Sequence, residues 1–302
     1  MKASSWTITR RDLIRAGSLA AAAGALGAFL PGMPPAGPAT RSRVVLTRDP
    51  AVLDATGKLV VERLETMLDE AVCRLFGIRD ARNAPEAWRQ IAGPGDGVGI
   101  KSNVWQFLPT PPALENAIRR RLQAAGVVPE NIAVDDRGVL KNNVFRRATV
   151  LVNVRTARTH HWSGLGTCLK NYIMFVPDPW AYHPNACENL GALWQLPLVK
   201  GKTRLNILVM LTPLFHGIGP HHFSATYTWP YAGLVVGRDP VSVDSVGARI
   251  IQAKRFEYFK EDRPISPPPL HIAAADTKFG LGPSTMDRIE LVRLGATDGS
   301  LI

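Results

Sequence analysis

The histidines of this chain are concentrated in one stretch of the sequence. Six of the seven lie between residues 160 and 222. Imidazole is the commonest neutral metal ligand in proteins, and it also transfers protons near neutral pH. The spacing matches no known metal signature such as HExxH, so any single histidine is more simply explained as a surface or hydrogen-bonding residue. As a group they predict a site that binds a divalent metal ion or moves protons. The candidate metal ligands are His160, His161, His216, His221 and His222, and His160 is also a candidate catalytic residue.

A glycine-containing segment, SGLGTCLKN at residues 163–171, is the second candidate element. Gly164 and Gly166 permit a close approach between backbone and ligand, and the residues that follow have helical character. A helix N-terminus offers free N–H groups to an anion, and Lys170 adds a positive charge. The segment is neither a Walker A loop nor GxGxxG, so a glycine turn before a packed helix explains it equally well. In the functional interpretation, the two glycines and Asn171 bind the ligand and Lys170 is catalytic.

Further charged side chains lie at the ends of predicted strands and at the start of a predicted helix. Lys101 ends a strand otherwise made of Val and Gly, where a lysine must reach solvent, a carboxylate or a ligand. Asn103 follows it, and the acidic pair at 135–136 ends another strand. Asp239 and Asp244 open a helix, where a carboxylate also complements the helix dipole without any catalytic role. We treat Lys101 and Asp244 as candidate catalytic residues and Asn103 and Asp239 as candidate ligand-binding residues.

The elements that must position these residues are alternating strands and helices. The predicted strands are 43–47, 96–101, 131–135, 149–154, 204–211, 232–236 and 288–294. The predicted helices are 58–76, 112–125 and a helix that opens at 239–240 and runs to about 256. Apolar strands separated by helices predict an α/β fold, with a mixed, mostly buried sheet and flanking helices, in a single domain over residues 40–302.

The order of elements predicts where the candidate residues meet. In open α/β sheets, ligands bind beyond the carboxyl ends of the strands. His160 and His161 follow the strand 149–154, and the histidines at 216–222 follow the strand 204–211. Both groups are therefore expected to converge on one crevice. Tryptophans and tyrosines are also frequent between residues 162 and 231, and core packing accounts for most of them.

The first 39 residues are predicted to be an export signal. Arg10 and Arg11 precede fifteen uncharged residues, 16–30, and a stretch of small residues and prolines, 31–39. The paired arginines resemble the twin-arginine export motif. The apolar run is too short for a comfortable membrane span of about 20 residues, and an uncleaved N-terminal anchor is the alternative. We expect export by the twin-arginine machinery, cleavage near Ala39, and a periplasmic or extracytoplasmic location.

Composition and charge limit the classes of partner. The chain is 46% hydrophobic and 20% charged, which is typical of a globular protein and excludes a disordered or collagen-like chain. Its net charge is +11, which favours anionic ligands. No basic stretch is interleaved with aromatic residues as in a nucleic-acid platform, so we expect a small anionic molecule as the ligand and no nucleic acid.

The three cysteines exclude one class of cofactor. Cys73, Cys168 and Cys187 form no CxxC pair, so the chain cannot supply four Cys ligands to an iron–sulfur cluster or build a Cys-rich zinc site. Cys168, beside a helix start and Lys170, is a reactive thiol, half of a disulfide with Cys187, or a buried inert thiol.

Several segments together resemble the DUF362 family. VGIKSN at 98–103 is similar to its GIKxN strand, LVNVRTARTHHWSGLGTCLKN at 151–171 to its central segment, and GRDPVSVD at 237–244 to its helix start. AADTKFGLGP at 274–283 is similar to its closing segment. The resemblance implies site roles for Lys101, Asn103, His160, Lys170, Asn171, Asp239 and Asp244, but no reaction. The chain departs from the family in having Arg158 in place of a lysine and in lacking the Cys-rich ferredoxin module of many relatives.

Three functions are compatible with these features. The first is an exported α/β protein whose His-rich, basic crevice performs metal- or cofactor-dependent or acid–base chemistry on a small anionic substrate. The second is a non-enzymatic periplasmic binding or accessory protein for a small anion or metal. The third is a redox partner that carries a flavin or another organic cofactor.

Overall fold

Eight β-strands form one mixed sheet in the part of the chain that the computed structural model describes, residues 41–217 and 223–302. The predicted export signal, His221 and His222 lie outside these described residues. The strands are β1 (Ser42–Arg48), β2 (Val98–Lys101), β3 (Ile132–Asp135), β4 (Val150–His160), β5 (Gly164–Gly166), β6 (Thr203–Leu214), β7 (Gly233–Gly237) and β8 (Ile289–Gly295).

The strand order is β3-β2-β4-β6-β7-β1-β8, with β5 paired to the second half of β4. Strands β3, β2, β4 and β6 are parallel to one another, β7 is antiparallel to β6 and β1, and β8 is parallel to β1. The predicted α/β fold with a mixed sheet is therefore confirmed. Because β2, β3 and β4 point the same way, the residues that follow them meet at one edge of the sheet.

Helices cover both faces of the sheet. They are α1 (Val61–Leu75), α2 (Ala84–Arg89), α3 (Pro112–Ala124), α4 (Asn143–Arg147), α5 (Cys168–Asn171), α6 (Pro240–Phe259) and α7 (Leu270–Thr277). Buried side chains of α1, α2 and α3 pack with Val152 and Val154 on one face, while α5, α6 and α7 pack with Leu151 and Leu208 on the other. No helix of the described residues is long and apolar enough to cross a membrane.

The helices that the sequence predicted form for the expected reasons. The apolar positions of α1 recur at three- and four-residue spacing and are buried, and each such Leu or Val contributes roughly 1.5–3 kcal/mol to the stability of the fold. Helix α6 begins with Pro240 in its first turn, and the Asp239 carboxylate accepts from the amides of Val241 (2.8 Å) and Ser242 (3.3 Å).

Strand β4 is longer than the predicted strand 149–154. It continues to His160, and all 11 of its residues are buried. The extension is stabilised by β5, which folds back antiparallel and pairs Arg158 with Gly166 and His160 with Gly164. The sequence pattern does not predict this extension, because the apolar run ends at Val154 and the next residues are RTART. The two histidines predicted to follow this strand therefore lie at its very end.

Candidate polar site at the ends of strands β2, β3 and β4

A buried polar row crosses the middle of the sheet. Lys101, Asn153 and Asn206 occupy neighbouring positions in β2, β4 and β6, and none of them is exposed. The Asn153 amide donates to Asn206 Oδ1 at 3.0 Å, and the Asn171 amide of α5 donates to Asn153 Oδ1 at 2.8 Å. Buried amides must find hydrogen-bond partners, so this network fixes α5 over the sheet.

Lys101 makes the one buried ion pair of the described residues. Its ammonium contacts the Asp136 carboxylate and donates to the Ser102 carbonyl at 2.7 Å. Burial lowers the pKa of Lys101 to about 8, although Asp136 opposes the shift. Burial alone would raise the pKa of Asp136, but Lys101 and the amide of Val104 (2.9 Å) hold that pKa below its ordinary value. Asp136 is thus already neutralised by Lys101.

Arg155 and Arg158 are buried cations without an ion-pair partner among the described residues. Arg155 is 3% exposed, and its Nε has no hydrogen-bond partner within the described part of the chain. Arg158 is 4% exposed, donates to the Thr159 carbonyl at 3.4 Å, and stacks over the Trp105 ring at 4.1 Å. Burial lowers the pKa of both guanidinium groups. Asp136 opposes the shift for both groups, and Asp244 also opposes it for Arg155, but neither carboxylate forms an ion pair with them. A buried charge without an ion-pair partner costs several kcal/mol.

Lys170 contacts a histidine and a thiol. Its Nζ lies 3.1 Å from His183 Nε2 and 3.6 Å from Cys187 Sγ. Burial lowers the pKa of Lys170 to about 8, with Cys187 opposing the shift and Arg155 adding to it. Burial and the nearby Lys170 charge lower the pKa of His183 to about 4, so the imidazole is neutral at pH 7 and its Nε2 accepts from the ammonium.

The turn that carries Cys187 is strained. Three consecutive residues, Asn185, Ala186 and Cys187, have φ of 51°, 53° and 62°. The left-handed region costs a non-glycine residue roughly 1–2 kcal/mol, so packing elsewhere must hold this turn in place. The turn brings the Cys187 thiol, and His183 before it, against Lys170.

These side chains surround a cavity of about 200 Å³ beyond the ends of β2 and β3 and along the second half of β4. It is lined by Asn103, Trp105, Asp136, Arg137, Arg155, Arg158, His160, Lys170, Asn171, Ile173, Met174 and His183. The lining therefore contains four cationic side chains and a single carboxylate, that of Asp136, which is paired with Lys101. The cationic side chains are those of Arg137, Arg155, Arg158 and Lys170. The arrangement suits a small anion that accepts hydrogen bonds from guanidinium and ammonium groups.

The structure brings five predicted site residues to this region. Asn103, His160, Lys170 and Asn171 line the cavity, and Lys101 lies beside it through Asp136. Asn103 Oδ1 is buried and has no hydrogen-bond partner among the described residues. His160 Nδ1 accepts from the amide of Trp162 at 3.2 Å, and burial, helped by Lys170, lowers the pKa of His160 far enough to keep the ring neutral.

Gly164 and Gly166, the two glycines predicted to bind the ligand, lie in close contact with other residues of this chain. A Cβ on Gly166 would lie 2.8 Å from Arg155 Nη2, and a Cβ on Gly164, whose φ is +70°, would lie 2.1 Å from the Pro267 carbonyl oxygen. Gly166 thus admits the unpaired guanidinium to the cavity. These residues form β5 rather than a turn.

The two predicted aspartates lie away from the cavity lining. Asp244 accepts from Thr167 Oγ1 (2.7 Å) and from the amides of Cys168 and Leu169 (both 2.8 Å), so the N–H groups predicted to be free for an anion are occupied. Burial raises the pKa of Asp244 to about 7. Asp239 caps α6 and lines a separate cavity of about 850 Å³.

The described histidines do not form a metal group. His160 and His161 stack at 4.8 Å, whereas His216 contacts Arg255 Nη1 at 3.0 Å and packs against Tyr227 and Phe259. Among residues 41–217 and 223–302, no group of three or more His, Cys, Asp or Glu side chains is placed to hold a metal ion. His221 and His222 lie outside this part of the chain.

The cysteines are free and buried. Burial and the nearby Asp244 raise the pKa of Cys168, and burial raises the pKa of Cys187. Of the three alternatives for Cys168, the structure matches the buried inert thiol.

Among the cavity residues that sequence reasoning did not select as site candidates are Arg155, Arg158 and His183. The available signal was the placement of two arginines directly after the apolar run of β4, at the edge of the sheet where ligands bind. His183 had no comparable signal, because it lies outside the strands and is 13 residues from Lys170 in the sequence.

The comparisons with known proteins give one match. The family model described as "Domain of unknown function (DUF362)" matches residues 98–249, a segment that contains every residue lining the 200 Å³ cavity. No curated protein and no solved structure matches the chain.

Proposed function

This chain belongs to the DUF362 family, and from the side chains that line its 200 Å³ cavity we propose that it binds a small anionic molecule there and transfers a proton to or from it. Export by the twin-arginine machinery to a periplasmic or extracytoplasmic location is part of the same proposal. The function as a non-enzymatic binding or accessory protein is the alternative, and it uses the same cavity.

The observation that supports anion binding is the pair of buried, unpaired guanidinium groups. Arg155 and Arg158 lack an ion-pair partner among the described residues, and Asp136 is held by Lys101. A carboxylate or phosphate group fits the planar fork of an arginine and would neutralise the two charges together. The anion would thereby offset part of the desolvation cost of burying the two guanidinium groups.

The support for acid–base chemistry is the contact between Lys170 and His183. An ammonium whose pKa is about 8 exchanges its proton readily near neutral pH, and the neutral His183 imidazole accepts a hydrogen bond from it. In this proposal Lys170 is the proton-transferring group, His183 positions it, and the arginines orient the anion beside it.

Binding is tested by calorimetric titration of the full chain with inorganic phosphate and with acetate. Arg155→Met should weaken the affinity for the better anion at least roughly tenfold, because a hydrogen bond to a charged group contributes about 1.5–3 kcal/mol. The same variant should raise the Tm of the ligand-free protein, since it removes an uncompensated buried charge. Arg89→Gln, an exposed arginine at the end of α2, is the matched control and should change neither quantity.

Two outcomes would reject the proposal. The first is no saturable binding of either anion. The second is an unchanged affinity in Arg155→Met together with a lower Tm, which would make Arg155 a structural residue. Turnover of an anionic substrate that Lys170→Met abolishes, with binding retained, would separate an enzyme from a binding protein.

The metal-dependent form of the hypothesis stays a prediction. His160 and His161 are its described candidates at the cavity, and the other members of the predicted set are His216, His221 and His222. Elemental analysis of the exported protein tests it. A stoichiometric divalent metal that is lost in His160→Ala would support the metal site, and its absence in wild-type protein would reject it.

A further inference from the structure

The anion cavity is small and adjoins exposed aromatic side chains. At about 200 Å³ it lies below the range of about 300–1,000 Å³ that is usual for pockets enclosing a whole organic ligand. It holds a charged group, but the remainder of a larger ligand must extend outside. The surface next to the cavity therefore indicates the chemical class of the part of the ligand that lies outside.

One aromatic cluster begins at Trp105, which lines the cavity and stacks with Arg158. Trp105 contacts Phe107 at 5.2 Å between ring centroids, and Phe107 is stacked parallel to Phe223 at 4.8 Å. Phe107 is 42% exposed, although aromatic side chains of this size normally bury most of their surface. The cluster thus leads from the cationic lining to an exposed ring.

A second aromatic cluster begins at the two histidines of the cavity lining. Trp162 contacts His160 and His183, with ring centroids 5.9 Å and 4.3 Å apart. Trp180 contacts Trp162 at 4.9 Å and is 66% exposed, more than any other large hydrophobic residue of the described chain. Exposed aromatic rings beside a charged cavity are typical of a binding surface for an amphipathic ligand.

We propose that the bound anion is the charged end of a molecule with a planar aromatic or heteroaromatic portion. The anionic group occupies the cavity with Arg155 and Arg158, and the ring stacks on the aromatic residues outside it. The contiguity of cations and exposed rings supports this occupant, because an apolar ring and a charged group then bind to adjacent surfaces. This inference rests on the proposed anion-binding function and specifies its ligand class.

The test compares phenyl phosphate with methyl phosphate, and benzoate with acetate, by calorimetric titration of the full chain. The aromatic member of the preferred pair should bind roughly tenfold more tightly, because an aromatic contact is worth about 0.5–1.5 kcal/mol beyond the area it buries. Trp180→Ala and Phe107→Ala are the two variants. At least one should reduce the affinity for the aromatic member two- to tenfold (about the same 0.5–1.5 kcal/mol) and leave the affinity for its aliphatic counterpart unchanged. Phe256→Ala, an exposed phenylalanine of α6 outside the cavity lining, is the control and should affect neither.

The outcomes separate this inference from the proposed function. Equal affinities for the aromatic and aliphatic members would overturn the aromatic ligand class and leave the anion site standing. Unchanged affinities in both variants would also overturn it, provided that thermal unfolding shows the variants to be folded. Failure of all four anions to bind would reject the anion site itself.

Discussion

At the scale of single residues, the cationic side chains around the cavity lower one another's pKa values. Lys101 and Lys170 are both buried within reach of Arg155, and only Lys101 has a carboxylate partner. Burial and like charge favour the neutral amine, so each pKa is lowered from 10.5 to about 8 in the ligand-free protein. An anion in the cavity would favour the charged amine again. Binding and protonation are therefore linked.

We expect the anion affinity to fall as the pH rises above about 8. The positive charges of Lys101 and Lys170 are present below that pH and are lost above it. Sulfate is the suitable probe, because its own charge is constant over the range. Between pH 7 and pH 9.5 its Kd should rise about tenfold, a change of about 1.4 kcal/mol that is modest for charges this close. Lys170→Met should bind sulfate more weakly at pH 7 and show a smaller pH dependence.

The same pKa values determine whether the stability of the fold rises or falls with pH. Because each folded pKa lies below the unfolded value, the unfolded chain binds more protons between about pH 8 and 10.5, and the lysines' contribution to stability rises with pH across that window. Relative to Lys170→Met, wild-type protein should thus gain stability from pH 8 to pH 10. A constant difference in the free energy of unfolding, together with a pH-independent Kd, would contradict the lowered pKa.

Among the candidate residues, those that the sequence placed at strand ends lie there in the structure. Lys101 ends β2, Asn103 follows it, and His160 ends β4; the C-terminal edge of the parallel strands brings them together. Arg155 and Arg158 were not selected because their burial depends on β5, whose three residues read as part of a loop. Asp244 illustrates the opposite case, since a carboxylate at the start of α6 looks catalytic in the sequence but caps a second helix, α5.

At the scale of elements, strand β5 contacts both the candidate site and the backbone that packs beside it. Its two glycines face different obstacles: Gly166 adjoins the flexible end of Arg155, whereas Gly164 adjoins the Pro267 backbone and has a positive φ. A side chain can rotate away from a new methyl group, but a backbone carbonyl cannot do so without moving the chain. The two positions therefore allow binding and stability to be separated experimentally.

We expect Gly166→Ala to reduce mainly the anion affinity and Gly164→Ala to reduce mainly the stability of the fold. Gly166→Ala should cost about 1 kcal/mol of stability but weaken anion binding strongly, because it displaces the Arg155 guanidinium. Gly164→Ala should cost roughly 2–4 kcal/mol, since it adds a steric overlap to an unfavourable backbone conformation.

Urea unfolding and phosphate titration of both variants measure the two effects. Arg155→Met combined with Gly166→Ala should bind no more weakly than Arg155→Met alone, because both changes act on the same guanidinium. Additive losses of affinity in the double variant would contradict this role of Gly166.

The elements that the sequence predicted best are those whose apolar pattern matches their burial. Helix α1 and strands β1 and β7 lie within a few residues of their predicted bounds. The short helices α2, α4 and α7 were not predicted. Each has eight residues or fewer, and α7 carries apolar residues on most of its surface, so neither length nor periodicity distinguishes these helices from loops.

At the scale of the whole molecule, the buried cysteines bear on the predicted export. Cys73, Cys168 and Cys187 are free, and burial raises the pKa of each thiol, that of Cys73 to about 11. The thiolate is the reactive form, so such thiols resist oxidation while the protein is folded. A protein that folds before it is exported would reach an oxidising compartment with its thiols already protected. The buried, free thiols are therefore compatible with the predicted twin-arginine route, which carries folded proteins.

Two measurements test this connection. In the folded protein, dithionitrobenzoate should modify none of the three thiols within minutes, and unfolding in urea should make all three reactive. In cells, replacing Arg10 and Arg11 together by lysine should retain the protein in the cytoplasm, whereas Arg15→Lys, outside the pair, should leave export unchanged. Rapid modification of the folded protein would remove the argument from thiol protection, and export of the double variant would exclude the twin-arginine route. If both expectations hold, the fold that contains the proposed anion site forms in the cytoplasm, before export.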